Sequence, residues 1–448
     1  MATVVWGRIQ PSVQDAHAQF AQERMLRGRG SVLVPASVSA FPLAGTRTEP
    51  RLCVAASVGG SRLWRALHSS RAPGALVDGR SRSLGRRSAR DRRDRRDDAT
   101  AATAATAATD EFYGPLRARD LSPFGYLRLD MRPSFAGDMA RGTWSIESEF
   151  AYQNTWAISP TASYYLESQR GPRRSLTVAD LDAMRAWSPE NYLVDLELAQ
   201  FDVVLHRQLS ADWGTFVVLS GVNYGGGLLD DTIEQFHQAF GLGNDGRPSV
   251  RQGQINLFFD LKGQRYAALD APSRSGLLDP TIGVRYTGIP LRAPWQLVLA
   301  AETKIPLSGE RAWLSTGRVD AGLQATLVRS SGRHALYGNV ALVRYAGSEG
   351  SLRTEAQLLP ALVAAYELHL TSRTHSIVQF YASPSVYEEE QTNLDELLAT
   401  KYQLSVGLRH HRGKHLFTFA LTENIGSLQN TPDVGLQFGW VYRSPRVD

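Results

Sequence analysis

Between Gly142 and Tyr442 one pattern recurs roughly fourteen times: about ten residues that alternate apolar with polar, then a turn, with long and short connections alternating. Successive side chains of an extended strand point to opposite faces, so each stretch carries one apolar and one polar surface. Strands of this kind leave backbone donors and acceptors along their edges. In a lipid setting those groups are satisfied only if the sheet closes on itself. The pattern predicts an all-β protein, a closed antiparallel transmembrane β-barrel of about 14 strands, within roughly 12 to 16.

The clearest copy is Thr143 to Ile158. Trp144, Ile146, Phe150, Tyr152, Trp156 and Ile158 fall on one face, and Ser145, Glu147, Glu149, Gln153 and Thr155 on the other. No run of about 18 apolar residues occurs, which excludes a conventional transmembrane helix. The one cysteine, Cys53, precedes the repeats, so neither a disulfide framework nor thiol or zinc chemistry is indicated.

The net charge of +5 conceals two unlike parts. Residues 1–110 hold 18 arginines and 9 acidic residues, leaving 31 basic and 35 acidic residues for the remainder, so the basic balance belongs to the extension. Arg80 to Asp98 is an arginine-aspartate tract and Ala99 to Thr109 an Ala-Ala-Thr repeat. Neither has the apolar surface to offset the entropy of ordering, so residues 1–110 are expected to be a disordered extension, consistent with a start codon placed too early. The tract has interspersed aspartates and no aromatic residues for base stacking, so no nucleic-acid partner is expected. A secretory signal is not evident at Met1. The candidate is an internal start near Met25, with Arg27 and Arg29 before the apolar run Val32 to Leu43, which Pro35 and Pro42 interrupt.

Residues 111–142 form a pre-barrel segment, in which Leu121 to Met131 reads as an extra strand or a lumen plug. The barrel spans 143–443, and 444–448 form a tail. Wall strands are expected at 143–158, 192–206, 213–223, 252–261, 265–270, 278–287, 295–305, 318–328, 335–345, 358–368, 376–384, 401–409, 416–424 and 433–442. The short links lie near 207, 263, 290, 331, 371 and 412, the periplasmic side of an outer-membrane barrel. Aromatic residues at the strand ends suggest two girdles at headgroup level, with Trp144, Trp213, Trp295, Trp440 and Tyr442 on the short-turn side and Trp156 on the other.

The long connection Tyr224 to Ser249 contains a predicted amphipathic helix. Thr232 and Gln235 have capping-box spacing, Ile233, Phe236, His237 and Phe240 share a face, and Gly241 ends it. Such a helix serves as a lid folded into the mouth or as a seal of the rim. Asp230, Asp231, Asn244 and Asp245 offer hard oxygen donors, but their spacing matches capping and turns better than a calcium loop, so no metal or other cofactor is expected. With the apolar face toward lipid, the lumen receives Glu147, Glu149, Asp195, Glu197, Arg285, Glu302, Lys304, Asp320, Gln324, Glu367, Arg409 and Gln437. A barrel of this size is expected to hold a narrow or obstructed channel.

The loop from Gly225 to Gly241, Leu277 to Tyr286 with its Leu-Asp-Pro, and Glu302 to Pro306 resemble landmarks of an uncharacterised family of proteobacterial outer-membrane barrels, known as a domain of unknown function. The resemblance covers roughly Gly114 to the C-terminus and implies fold and location without catalytic residues. Val434, Leu436, Phe438, Trp440 and Tyr442 resemble the closing strand that barrel-assembly machinery reads, although six residues follow the last aromatic. Expected partners are that machinery and outer-membrane lipid with lipopolysaccharide; the oligomeric state stays open. The leading functional reading is a narrow or gated channel or transporter for small solutes. The alternatives are a lipid-modifying outer-membrane enzyme and a structural or adhesive barrel. For the enzyme, His369, His375, His410, His411 and His415 cluster at short turns, but no catalytic motif emerges.

Overall fold

The computed structural model describes residues 112–117, 120–122, 127–135, 141–241, 243–271, 274–349, 353–426 and 429–444. The arginine-aspartate tract, the Ala-Ala-Thr repeat, the candidate signal after Met25 and residues 445–448 lie outside the described residues.

Strand β1 (Trp144–Ile158) leads through helices α1 (Pro160–Ser168) and α2 (Val178–Trp187) to β2 (Asn191–Gln208), which turns tightly into β3 (Trp213–Gly225). A long connection then carries α3 (Asp230–Phe240), β4 (Asn256–Leu261), β5 (Gln264–Ala268) and β6 (Ser275–Leu277). The chain continues up and down through β7 (Thr281–Tyr286), β8 (Trp295–Lys304), β9 (Asp320–Ser331), β10 (His334–Tyr345), β11 (Gln357–His369) and β12 (Thr374–Ser383). One helical turn, α4 (Asp395–Leu398), precedes β13 (Lys401–Arg412), β14 (His415–Asn424) and β15 (Val434–Arg443).

β1 pairs with β2 on one side and with β15 on the other, from Ser145 opposite Arg443 to Asn154 opposite Val434. With β2–β3, β3–β7 and every later neighbour also antiparallel, twelve strands close into a barrel, and β4, β5 and β6 stand outside the ring. The expectation of 14 wall strands is therefore corrected to twelve. The surplus came from 252–261 and 265–270, which alternate like wall strands but form a hairpin on the protruding end of β2, with Asn191 opposite Asp260 and Asp195 opposite Asn256. Every residue of β4 is buried, including the adjacent Phe258 and Phe259. A strand covered on both faces belongs to a packed cap, and the Gly263 turn consequently lies at the long-loop end.

β10 displays the parity of the wall. Ala335, Tyr337, Asn339, Ala341, Val343 and Tyr345 face inward, while Leu336, Val340 and Leu342 are exposed on the outside. The same outer belt includes Phe201, Leu323, Leu358, Leu362, Val406, Leu408 and Phe438. Exposed apolar side chains repeated on the outer parity of neighbouring wall strands are the mark of a surface that meets lipid or another protein rather than water.

At the long-loop end the connections fold into a cap with its own core. Ser159 caps α1 with Pro160 in its first turn, and Thr177 and Asp180 form a reciprocal capping box on α2. Leu166, Leu181, Met184, Leu193 and Phe258 pack there with Trp156 and Ile158. Trp156 is thus not a girdle residue. It is 5% exposed, its indole N–H donates to the Asp245 carbonyl at 3.1 Å, and the Arg247 guanidinium lies 5.2 Å from its ring. Tyr192, Tyr224 and Tyr345 are likewise buried, because the strands bearing them continue into the cap. At the short-turn end Trp144, Trp213 and Trp295 are exposed outward, with ring pairs Trp144–Tyr442 at 5.5 Å and Trp213–Tyr286 at 4.7 Å; Trp440 is only half-exposed there.

Candidate functional site

Among the described residues of 112–135 no strand forms, so the described part of 121–131 adds none to the wall. An irregular stretch must satisfy its backbone groups through side chains, and here the inward-facing wall supplies them. Glu367 on β11 accepts from the amides of Tyr113 and Gly114, each at 3.2 Å to Oε2. Asp320 on β9 accepts from Leu129 at 2.9 Å, and Gln153 on β1 from Leu121 at 2.9 Å. In the opposite sense Lys304 donates to the Leu127 carbonyl at 2.6 Å, Gln324 to Arg132 at 2.6 Å, Gln379 to Leu116 at 3.0 Å and Gln437 to Arg117 at 3.3 Å. Arg409 donates to the carbonyls of Gly114 and Pro115, and Arg285 to that of Phe135.

Charges continue the pattern. Arg117 pairs with Asp202 on β2, Arg132 with Glu147 on β1, and Asp120 with Lys401 on β13 at 2.5 Å. Arg128 donates to the hydroxyls of Tyr381 at 2.9 Å and Ser383 at 3.1 Å. Apolar grips separate the polar ones: Phe112 and Leu116 lie against Val328, Ala335, Ala365, Ile377 and Ala420, and Leu129 with Met131 against Ala341 and Val343. A chain held from β1, β2, β7, β8, β9, β11, β12, β13 and β15 lies within the ring they form. The space beside it includes a cavity of about 110 Å³ bordered by Tyr113, Arg132, Glu147, His206 and Arg285, and one of about 60 Å³ bordered by Arg117, Asp120, Glu302 and Lys304.

All twelve residues assigned to the lumen from the sequence are buried. Ten border the inner chain or its neighbours: Glu302, for instance, accepts from Gln324 at 3.0 Å, and Lys304 pairs with Asp320 at 2.8 Å. Asp195 and Glu197 lie higher, under the cap. Asp195 accepts from Asn256 of the hairpin at 2.8 Å. Glu197 takes the Tyr152 hydroxyl, Asn154 at 3.0 Å, and the amides of Leu228 and Leu229 at 2.6 and 2.7 Å. Asp202 and Lys401 were missed. Asp202 follows Phe201 on the inward parity of β2, and Lys401 opens β13; both were legible by counting parity outward from their neighbours.

The helix in the second long loop exists as α3, but the Thr232–Gln235 capping box does not form. The helix begins at Asp230, and Gln235 instead donates to Asp231 at 2.7 Å. The buried Glu197 carboxylate from the wall instead holds the amides of Leu228 and Leu229 just ahead of the helix, a tertiary contact that local spacing cannot reveal. Ile233 is buried, whereas Phe236 and Phe240 are 49% and 70% exposed with ring centroids 4.6 Å apart, so of the shared apolar face only Ile233 is packed inward. The His237 Nδ1–H donates to the Gly243 carbonyl at 2.9 Å, and Gly241 ends the helix at φ 68°. Asp230 accepts from the Gly253 amide at 3.0 Å and faces Arg247, which also pairs with Asp433. Burial, against the pull of Arg247, pushes the Asp433 carboxyl up to about 7. Among the described residues no His, Cys, Asp and Glu group suited to a metal ion occurs.

Fold and site define a class: a closed twelve-stranded barrel, apolar outside, whose polar bore is occupied by its own preceding chain. Residues 176–444 match the family described as protein of unknown function (DUF3187), and the chain belongs to that family. No curated protein matches it. Among solved structures, the chain is similar to the COG4313 outer membrane channel from Pseudomonas putida F1, at 11% identity and TM-score 0.43, covering 68% of this chain and 97% of that one. It is also similar to the NanC porin, at 6% identity and TM-score 0.35 with 66% and 98% covered. The Ralstonia pickettii toluene transporter TbuX matches at 10% identity and TM-score 0.34 with 73% and 99% covered.

Proposed function

We propose that this protein is an integral barrel of the bacterial outer membrane that passes small solutes through its polar bore, and that the described residues between 112 and 135 act as the plug of that bore. The carrying observation is the pairing of opposites in one closed wall: exposed leucines, valines and phenylalanines outside, and inside a set of ionisable side chains spent on holding an irregular chain. A wall built only to be a structural support is served by apolar packing; buried ionic groups that bind a separable segment are costly for stability and suit a removable stopper. The five short turns then face the periplasm and the cap faces outward, with lipid and lipopolysaccharide around the belt.

The test is reconstitution of the purified chain in planar bilayers, beside a variant with the plug loosened, together with solute uptake by cells lacking the gene. Conductance above detergent controls that rises when the plug is loosened supports the reading. A folded barrel that never conducts, with no uptake defect on deletion, overturns it.

A further inference from the structure

We infer that the inner chain occupies the path of a cationic solute, and that the bore it closes is selective for cations carrying ammonium or guanidinium groups. The inference rests on the channel reading above and names its substrate class. On the buried positions of the twelve wall strands, eight carboxylates stand against four Lys or Arg side chains. Part of this charge is balanced within the wall, where Lys304 lies 2.8 Å from Asp320 and Arg409 lies 3.5 Å from Glu367. Glu147, Glu149 and Asp202 are met differently. Arg132 of the inner chain pairs with Glu147 and lies 3.9 Å from Glu149, and Arg117 pairs with Asp202. His206 also approaches Glu147, at 3.6 Å.

These three carboxylates lie on the adjacent strands β1 and β2, where register sets Glu149 opposite Asp202. Two guanidinium groups from a segment outside the wall thus fill an acidic face on one side of the bore. When the segment leaves, its described ionic groups leave with it: Arg117, Arg128 and Arg132 against Asp120 and Asp130. The balance left behind is the acidic one of the wall. Rings and faces of carboxylate lining a narrow pore raise the local concentration of cations and repel anions. The plug arginines therefore stand in for the solute, with the same charge and the same hydrogen-bonding fork that matches carboxylates.

The experiment measures reversal potentials of the full-length barrel in planar bilayers under a roughly tenfold KCl gradient, where the sign reports whether cations or anions carry the current. R117A/R132A, checked for a folded barrel by heat-modifiable mobility, is expected to conduct more than the parent and to pass potassium severalfold better than chloride. Adding E149Q and D202N to that variant is expected to bring the ratio close to unity while conductance persists. If the double variant does not fold, R132A alone is read in the same way. An opened pore that prefers chloride, or one whose preference ignores E149Q and D202N, overturns the inference and leaves the channel reading intact. A folded variant without any conductance overturns both.

Discussion

Arg117, on the chain inside the bore, is ion-paired with Asp202 of β2, and their side chains are only 7% and 0% exposed. Removing one partner of such a pair strands a buried charge, which typically costs about 3–5 kcal/mol. D202A is accordingly expected to lower the urea midpoint of the folded band in heat-modifiable electrophoresis. R117A/D202A is expected to recover much of the loss, because neither charge then remains uncompensated. Additive losses in the double variant would contradict this pairing.

Gly114 joins the inner chain to Glu367 and Arg409 at φ +84°, and a Cβ there would meet the Phe135 Cβ at 2.4 Å. G114A is expected to unseat the segment while the wall still folds, since the strain of a left-handed backbone is about 1–2 kcal/mol before the clash is counted. Faster protease cleavage within 112–135, with unchanged resistance of the barrel, checks the expectation.

The α3 side chains separate by burial rather than by helical face. I233A is expected to destabilise the cap by about 2–5 kcal/mol, whereas F236S and F240S stay within about 0.5 kcal/mol of the parent. Hydrogen exchange of the loop amides distinguishes the two outcomes.

Asp180 in α2 predicts the pH response of the first long loop. Burial raises its carboxyl, but hydrogen bonds from Arg174, Thr177 and Tyr165 outweigh this and hold it well below the ordinary carboxylate range. A carboxyl depressed in the folded state contributes stability fully above its unfolded pKa, near 4, and loses it as pH falls through the lower folded value. The fluorescence of Trp187, 5.3 Å from Tyr164 between α1 and α2, is expected to report loosening only under strongly acidic conditions. D180N is expected to remove the acid-dependent part of that curve and to lower stability at neutral pH.

Tryptophan accessibility tests the placement in lipid. Brominated acyl chains are expected to quench Trp144, Trp213 and Trp295, each about two-fifths to one-half exposed at the short-turn end, and to spare Trp156. Single-tryptophan variants read by fluorescence decide it; quenching of Trp156 equal to that of Trp213 would overturn the assignment.

Much of the wall was readable from the chain alone, because parity is local. Trp144 through Tyr152 announce two solvents in nine residues, and the closing strand from Val434 does the same. The hairpin of Phe258 and Tyr266 was misread for the same reason: alternation says that two faces differ or that a strand is extended, and it does not say whether the neighbour is lipid or another loop. The α2 box joins Thr177 and Asp180 within one turn of chain, whereas the amide of Leu228 leading into α3 is held by Glu197, 31 residues earlier.

Sequence by itself determined that strands alternate, that their edges must close, and which side chains turn inward, since each of these follows from geometry within a few residues. Only tertiary structure decided that the ring has twelve members, that the chain before β1 lies inside it, and that Arg117 and Arg132 answer the carboxylates of β1 and β2. Those outcomes depend on which distant groups meet once the barrel has closed. Burial then makes an unmatched charge expensive enough to dictate the partner.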